Sequence, residues 1–162
     1  MKKRFLAMVL AAAMMLTAMV GCGNGNTQDG GNANNAGATG DTIKIGGLAP
    51  LTGDVSVYGV AVDNGVKMAV EEINADGGVL GKQIEYIVYD EKGDATEAVN
   101  AYNKLVQSDN VVAIVGDVTS KPTLAVAQQA AKDKIPLITA SGTAENITQA
   151  GENIFRACFI DP

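Results

Sequence analysis

From Thr42 onward the apolar residues keep switching between two periods, and each switch marks an element. Thr42 to Leu48 (TIKIGGL) opens as an alternating, β-rich run. Val62, Val66, Ala69, Val70 and Ile73 then return every three or four residues, which predicts an amphipathic helix with that set on its buried face. Asn74 to Gly78 carries the asparagine, aspartate and paired glycines of a helix end, and Val79 to Lys82 leads into a second strand. That strand, Gln83 to Asp90 (QIEYIVYD), is rich in β-branched and aromatic residues. Asp94 and Glu97 have the spacing of a capping box, with Val99, Tyr102, Leu105 and Val106 marking the buried face of a second helix. Val111 to Val115 is wholly apolar, as expected of a central parallel strand covered on both faces. Pro122 suits a first helical turn, and Leu124 to Ala131 continues it as a third helix. Ile135 to Ile138 reads as a fourth strand, Ala144 to Thr148 as a short helix and Asn153 to Phe159 as a fifth strand.

Strands that alternate with helices in this way imply βαβ crossovers. The predicted fold is α/β, an open doubly wound parallel sheet with helices on both sides. In such sheets ligands settle beyond the carboxyl ends of the strands, so the residues just after Leu48, Val115 and Ile138 are the informative ones.

Ahead of this domain the pattern differs. Lys2, Lys3 and Arg4 precede an unbroken apolar or small run from Phe5 to Gly21, short for a membrane span of about 20 residues and suited to a signal peptide over 1–22. It ends in Met19-Val20-Gly21-Cys22, which resembles the lipobox of bacterial lipoproteins, with methionine where leucine is usual. The resemblance implies acylation at Cys22 and an extracytoplasmic chain lipid-anchored to the cell membrane. A plain secretory signal and a retained anchor helix are the other readings of the same run. Residues 23–41 contain no large apolar side chain and read as a flexible Gly/Asn-rich linker, with roughly 25 Å of reach. Residues 42–162 are then the folded domain.

Composition narrows the chemistry. No histidine occurs among the 162 residues, which removes the commonest general base and the Ser-His, Cys-His and His-metal constellations. An enzyme is therefore not expected, nor a metal site. Eighteen acidic residues against twelve basic ones give a net charge of −6, which disfavours nucleic acid as a partner. Loss of Lys2, Lys3 and Arg4 with the signal peptide would make the mature surface more acidic still. With Cys22 lipidated, Cys158 has no disulfide partner and reads as a small buried hydrophobe.

Gly46-Gly47 invites a nucleotide reading, yet no G-x-G-x-x-G follows the first strand, and Gly77 to Lys82 (GGVLGK) has the wrong spacing for a phosphate loop. No cofactor is implied. Gly116 to Pro122 and Thr139 to Thr143 are instead small-residue loops that place hydroxyls and backbone N–H groups at helix N-termini, where a carboxylate can bind. Ser120 and Thr143 could also simply cap their own helices. Two such loops on neighbouring strands converge on one point, which favours a site.

The segments IKIGGLAPLTGDVSVYG, AVEEINADGGVLGKQIEYIVYDEKGD, VVAIVGDVTS, PLITASGTAENIT and IFRACFIDP resemble, in that order, the amino-terminal lobe of branched-chain amino-acid-binding proteins. These are type I solute-binding subunits of ABC transporters. The resemblance implies that Ser120 and Thr143 hold a ligand carboxylate and that a loop carbonyl at Ser141 or Gly142 takes the ammonium. It also implies that Tyr58 lines the side-chain pocket and Asp161 lies at the cleft near the first crossover. Packing at a helix start is the other reading of Tyr58, and a hinge cap that of Asp161. The implied partners are a Leu/Ile/Val-like amino acid and ABC permease subunits, with hinge closure over the ligand. The second lobe, with its acidic partner for the ammonium, has no counterpart in this sequence, which reads as a fragment. A rival reading keeps the lobe as a sensor of amides or other small solutes coupled to a signalling protein.

Overall fold

A computed structural model of the chain describes residues 42–161. The expected signal peptide at 1–22, with Cys22, and the linker at 23–41 lie outside the described residues. Five parallel strands, β1 (Ile43–Ala49), β2 (Ile84–Asp90), β3 (Ala113–Val115), β4 (Leu137–Thr139) and β5 (Ile154–Arg156), form one sheet in the order β2-β1-β3-β4-β5. The connections are α1 (Ser56–Ala75), α2 (Ala95–Gln107), α3 (Ser120–Asp133) and a 3-10 helix at Glu145–Ala150. The expected doubly wound α/β architecture is present, element for element.

The ends of β4 and β5 differ from expectation for a definable reason. Pro136 has no N–H to give the ladder, so β4 starts at Leu137, whose N–H donates to the Asn153 carbonyl. Beyond Ala157, whose N–H reaches the Thr139 carbonyl, β4 has already turned away and β5 has no partner left.

Strand order and crossover handedness together decide what is buried. A step from β1 to β2 runs one way across the sheet, while β2 to β3, β3 to β4 and β4 to β5 all run the other way. Right-handed crossovers therefore put α1 on one face and α2, α3 and the 3-10 helix on the opposite one. Against that second face Leu48, Ile114, Leu137 and Ile154 pack with Ala98, Tyr102 and Leu105 of α2, Val126, Ala127 and Ala130 of α3, and Ile147. The Tyr102 hydroxyl donates to Asp133 Oδ2 at 3.0 Å, which ties α2 to the end of α3. Asp94 caps α2 by accepting from the amides of Thr96 and Glu97, as its spacing predicted, and those two bonds hold its carboxyl below the usual range.

On the other face α1 packs on β1 and β2. Its predicted apolar stripe is a correction: Val62, Val66 and Val70 are half-buried, Ala69 and Ile73 are exposed, and only Gly59 and Asp63 are buried. Gly59 is the contact point, where a Cβ would stand 2.1 Å from the Pro50 carbonyl oxygen. Nor is β3 fully covered on both faces: Ala113 and Val115, on the side of α1, are only half-buried. Alternation along the paired strands sets Ile138 and Phe155 on α1's side, and they remain 38% and 51% exposed. At the far end of α1 the chain makes a tight turn, with Val79 and Lys82 exchanging both backbone hydrogen bonds (2.8 and 3.0 Å) around Leu80 and Gly81. Both central residues have positive φ, and Leu80 is 95% exposed.

The two faces differ in a measurable way. Ile114→Ala should cost about 2–5 kcal/mol as a buried truncation, whereas Ile138→Ala should cost about 1 kcal/mol or less. Urea unfolding followed by far-UV circular dichroism reads both, and equal losses would contradict the one-sided core.

Candidate ligand-binding site

Four turns meet at the carboxyl ends of the strands. The β1–α1 turn is fixed by Asp90, whose Oδ1 accepts from the amides of Leu51 (2.9 Å), Thr52 (3.3 Å) and Lys92 (3.0 Å), while Oδ2 accepts from the Thr52 hydroxyl (2.5 Å). Burial pushes this carboxyl upward, but the hydroxyl and amide donors outweigh it and hold Asp90 below the usual carboxylate range. The turn so held delivers Tyr58 into the first turn of α1, 62% exposed.

The turns after β3 and β4 are stitched to each other. Thr139 Oγ1 donates to the Asp117 carbonyl at 2.6 Å and accepts from the Gly142 amide at 2.9 Å. Ser141 Oγ donates to the Val118 carbonyl at 2.7 Å, and Ser120 Oγ accepts from the Ala144 amide at 3.3 Å. Ser120 opens α3, so its amide and that of Lys121 have no carbonyl one turn back to bond. Thr119, the N-cap residue, makes no side-chain cap bond. At Gly116 the end of β3 crosses β1 so closely that a Cβ would lie 2.4 Å from the Leu48 carbonyl oxygen, and φ is +139°.

The segment after Gly142 is secured from β5 and beyond. Thr143 Oγ1 donates to Asp161 Oδ2 at 2.7 Å, and the Asp161 amide donates to the Thr143 carbonyl at 3.1 Å. Arg156 Nη1 donates to that same carbonyl at 2.6 Å, and Nη2 to the Glu145 carbonyl at 3.3 Å and Thr148 Oγ1 at 3.4 Å. Cys158, half-buried rather than buried, donates from Sγ to the Gly142 carbonyl at 3.5 Å.

The structure thus brings Ser120, Ser141, Gly142, Thr143 and Asp161 onto neighbouring turns, where only Thr143 and Asp161 bond each other. Ser120 and Ser141 bond the facing turns, Gly142 bonds Thr139 and Cys158, and Tyr58 bonds none of them. Several of the expected donors are already engaged: the Ser141 hydroxyl by Val118, the Gly142 amide by Thr139 and the Thr143 hydroxyl by Asp161. Sequence reasoning placed Thr139 in a hydroxyl-bearing loop but missed its role in joining the two turns, and it missed Arg156. Arg156 had a signal, being the only arginine after Arg4. A separate concavity of about 550 Å³, lined by Lys134, Pro136, Gly151, Asn153 and Phe155 among others, lies where the chain enters β4 and β5, at the opposite end of the strands. Among the described residues no helix is long and apolar enough to cross a membrane, and no cluster of three metal-ligating side chains occurs.

Residues 42–160 match the model of a family described as periplasmic binding protein. The chain belongs to that family. This periplasmic binding protein is 39% identical over 117 residues to the Leu/Ile/Val-binding protein BraC3 of Rhizobium johnstonii, covering 72% of this chain and 32% of the relative. It is 41% identical over 122 residues to the leucine-, isoleucine-, valine-, threonine- and alanine-binding protein of Pseudomonas aeruginosa, covering 75% of this chain and 32% of that one. Among solved structures it resembles the branched-chain amino acid transporter substrate-binding protein LivJ of Streptococcus pneumoniae in complex with isoleucine. There the TM-score is 0.72 and the identity 39%, over 74% of this chain and 34% of LivJ. The chain spans about a third of the length of these relatives, which agrees with one lobe of a type I periplasmic binding protein.

In this periplasmic binding protein Arg156 is the strut of the Thr143–Thr148 segment. Arg156→Met should speed amide exchange across residues 143–148 by roughly tenfold or more, given about 1.5–3 kcal/mol for hydrogen bonds to a charged group. Exchange in β1 should be unchanged. Hydrogen–deuterium exchange with mass spectrometry makes the comparison.

Proposed function

We propose that this chain is one lobe of an extracytoplasmic substrate-binding lipoprotein, anchored through Cys22, that captures a branched-chain or similar amino acid for an ABC permease. Residues 1–22 serve as the signal peptide and 23–41 as the tether. The observation that carries the reading is the contact between the two small-residue turns, in which Ser120 Oγ lies 3.3 Å from the Ala144 amide beside the open N-terminus of α3. Amides without intrahelical partners and a hydroxyl together favour a carboxylate over a neutral group. The names of the matched relatives, Leu/Ile/Val-binding among them, support a small amino acid as its bearer.

In this mechanism Ser120, with the first amides of α3, receives the α-carboxylate. The Thr143 hydroxyl swings from Asp161 to the same group, and the freed Asp161 carboxylate and the carbonyls of the Ser141–Gly142 turn face the ammonium. Tyr58 borders the aliphatic side chain. A second lobe closes from the opposite side by a hinge motion, excludes water and completes the charge pairing. One lobe alone supplies one wall, so its affinity for leucine should be weak, on the order of 1 mM.

Two-dimensional NMR of the chain titrated with leucine and with leucinamide tests the carboxylate assignment. Leucine should shift the amides of residues 118–121 and 141–144, leucinamide should not, and Ser120→Ala should weaken leucine binding about fivefold to tenfold. Shifts by leucinamide equal to those by leucine would refute it.

A further inference from the structure

Behind the stitched turns lies a group that ligand binding does not use. Glu91, the first residue after β2, and Asp117, two residues after β3, are both fully buried. Both cross the end of β1, the Glu91 amide donating to the Ala49 carbonyl at 3.3 Å and Gly116, next to Asp117, lying against Leu48, and each carboxyl bears on the other's titration. Asp117 Oδ1 accepts from the Val118 amide, but Asp117 Oδ2 and both oxygens of Glu91 lack a well-formed hydrogen bond, and the nearby amides of Gly93, Asp94 and Thr119 only partly offset the burial. No lysine or arginine answers them among the described residues: the single ion pair there is Lys67 with Asp63, on α1. The charged groups on the elements around the pair are Asp90, which bears on Glu91, and Asp94, Lys92 and Lys121. The charge of Lys121 acts on Asp94, and Lys92 meets Asp90 through its backbone amide. Two neighbouring, buried carboxylates would each bear a desolvation cost, with repulsion added.

We infer that Glu91 and Asp117 hold one proton between them at neutral pH, as a carboxyl–carboxylate latch joining the turn after β2 to the turn after β3. The proton lies in the otherwise unfilled hydrogen bond between the two side chains, and when it is lost to solvent the pair becomes two adjacent anions that push those turns apart. The position makes this consequential. Glu91 follows Asp90, which fixes the β1–α1 turn, and the Asp117 and Val118 carbonyls receive Thr139 and Ser141. One proton thus bears on both walls of the cradle. The inference stands whether or not the cradle binds an amino acid.

Burial, and then the charge of Glu91, raise Asp117 to about 8, and burial raises Glu91 as well. Both effects belong to the pair. In the unfolded chain each group titrates near the ordinary value of about 4. Between those limits the folded form holds one proton more than the unfolded form, so stability must fall as pH rises. With no histidine in the chain, no side chain of ordinary pKa competes over pH 5.5–7.5.

Thermal unfolding of the full chain at pH 5.5, 6.5 and 7.5 should show a Tm that falls stepwise, with one proton released per molecule on unfolding. Asp117→Asn and Glu91→Gln should each flatten that dependence, and Asp117→Asn should melt higher than the unaltered protein at pH 7.5. A flat profile in the unaltered protein, or an unchanged slope in both variants, would overturn the latch. Should the variants fold poorly, carboxyl carbon-13 NMR of the unaltered protein decides: a linked titration displaced well above the usual carboxylate range supports it, and two independent titrations near pH 4 refute it. A rise in Tm on adding calcium at pH 7.5 that Glu91→Gln abolishes would also refute it, since the pair would then hold a cation.

Discussion

Right-handed crossovers acting on the strand order β2-β1-β3-β4-β5 distribute everything else in this domain. Because the chain reverses direction across the sheet only once, at β2, one helix lies on one face and every later connection lies on the other. The packed interior therefore forms between the sheet and α2, α3 and the 3-10 helix. The same reversal puts β1 and β3 side by side with their connections diverging, and this is where a doubly wound sheet opens a crevice at its carboxyl edge. Ser120 and the Thr139–Thr143 turn stand at the neighbouring strand ends, along the rim of that crevice.

The turns after β3 and β4 are joined to each other by hydroxyl and carbonyl groups, while the Asp90 and Asp161 carboxylates hold the β1–α1 turn and Thr143. Thr139, Ser141 and Ser120 each join a residue of one turn to a residue of the next, at 2.6–3.3 Å. Such bonds contribute little individually, about 1 kcal/mol each, but they are directional, and together they hold the turns in register. A cation reinforces the rim through Arg156, on the Thr143–Thr148 segment. Under the proposed reading, amide and hydroxyl dipoles at this rim would meet the ligand's carboxylate.

Element order was legible in the residues because each period change coincided with real capping chemistry: Asp94 accepting from Thr96 and Glu97, and Pro122 in the first turn of α3. The coverage of each element was not. Val62, Val66 and Val70 have a helical period, and a period reports which residues share a side, not whether anything lies against that side. Val111 to Val115 is apolar throughout, yet composition cannot say that only one layer of helices would reach it. At the candidate site the hydroxyl-bearing turns were visible as Ser120, Ser141 and Thr143. Their existing partners were not, since Asp161 lies 18 residues from Thr143 and Glu91 26 from Asp117. Contacts so distant in sequence depend on the register of the finished sheet.

The turn around Leu80 carries a practical consequence. Leu80 is almost wholly in solvent, adopts a backbone conformation that costs a branched side chain energy, and is flanked by a closed pair of backbone hydrogen bonds that isolates it from the helix and strand on either side. It sits at the end of the sheet remote from the hydroxyl-bearing rim. That makes it a natural splice point, where a fluorophore, an affinity tag or a whole inserted domain could be grafted without disturbing the turns at the opposite end of the sheet.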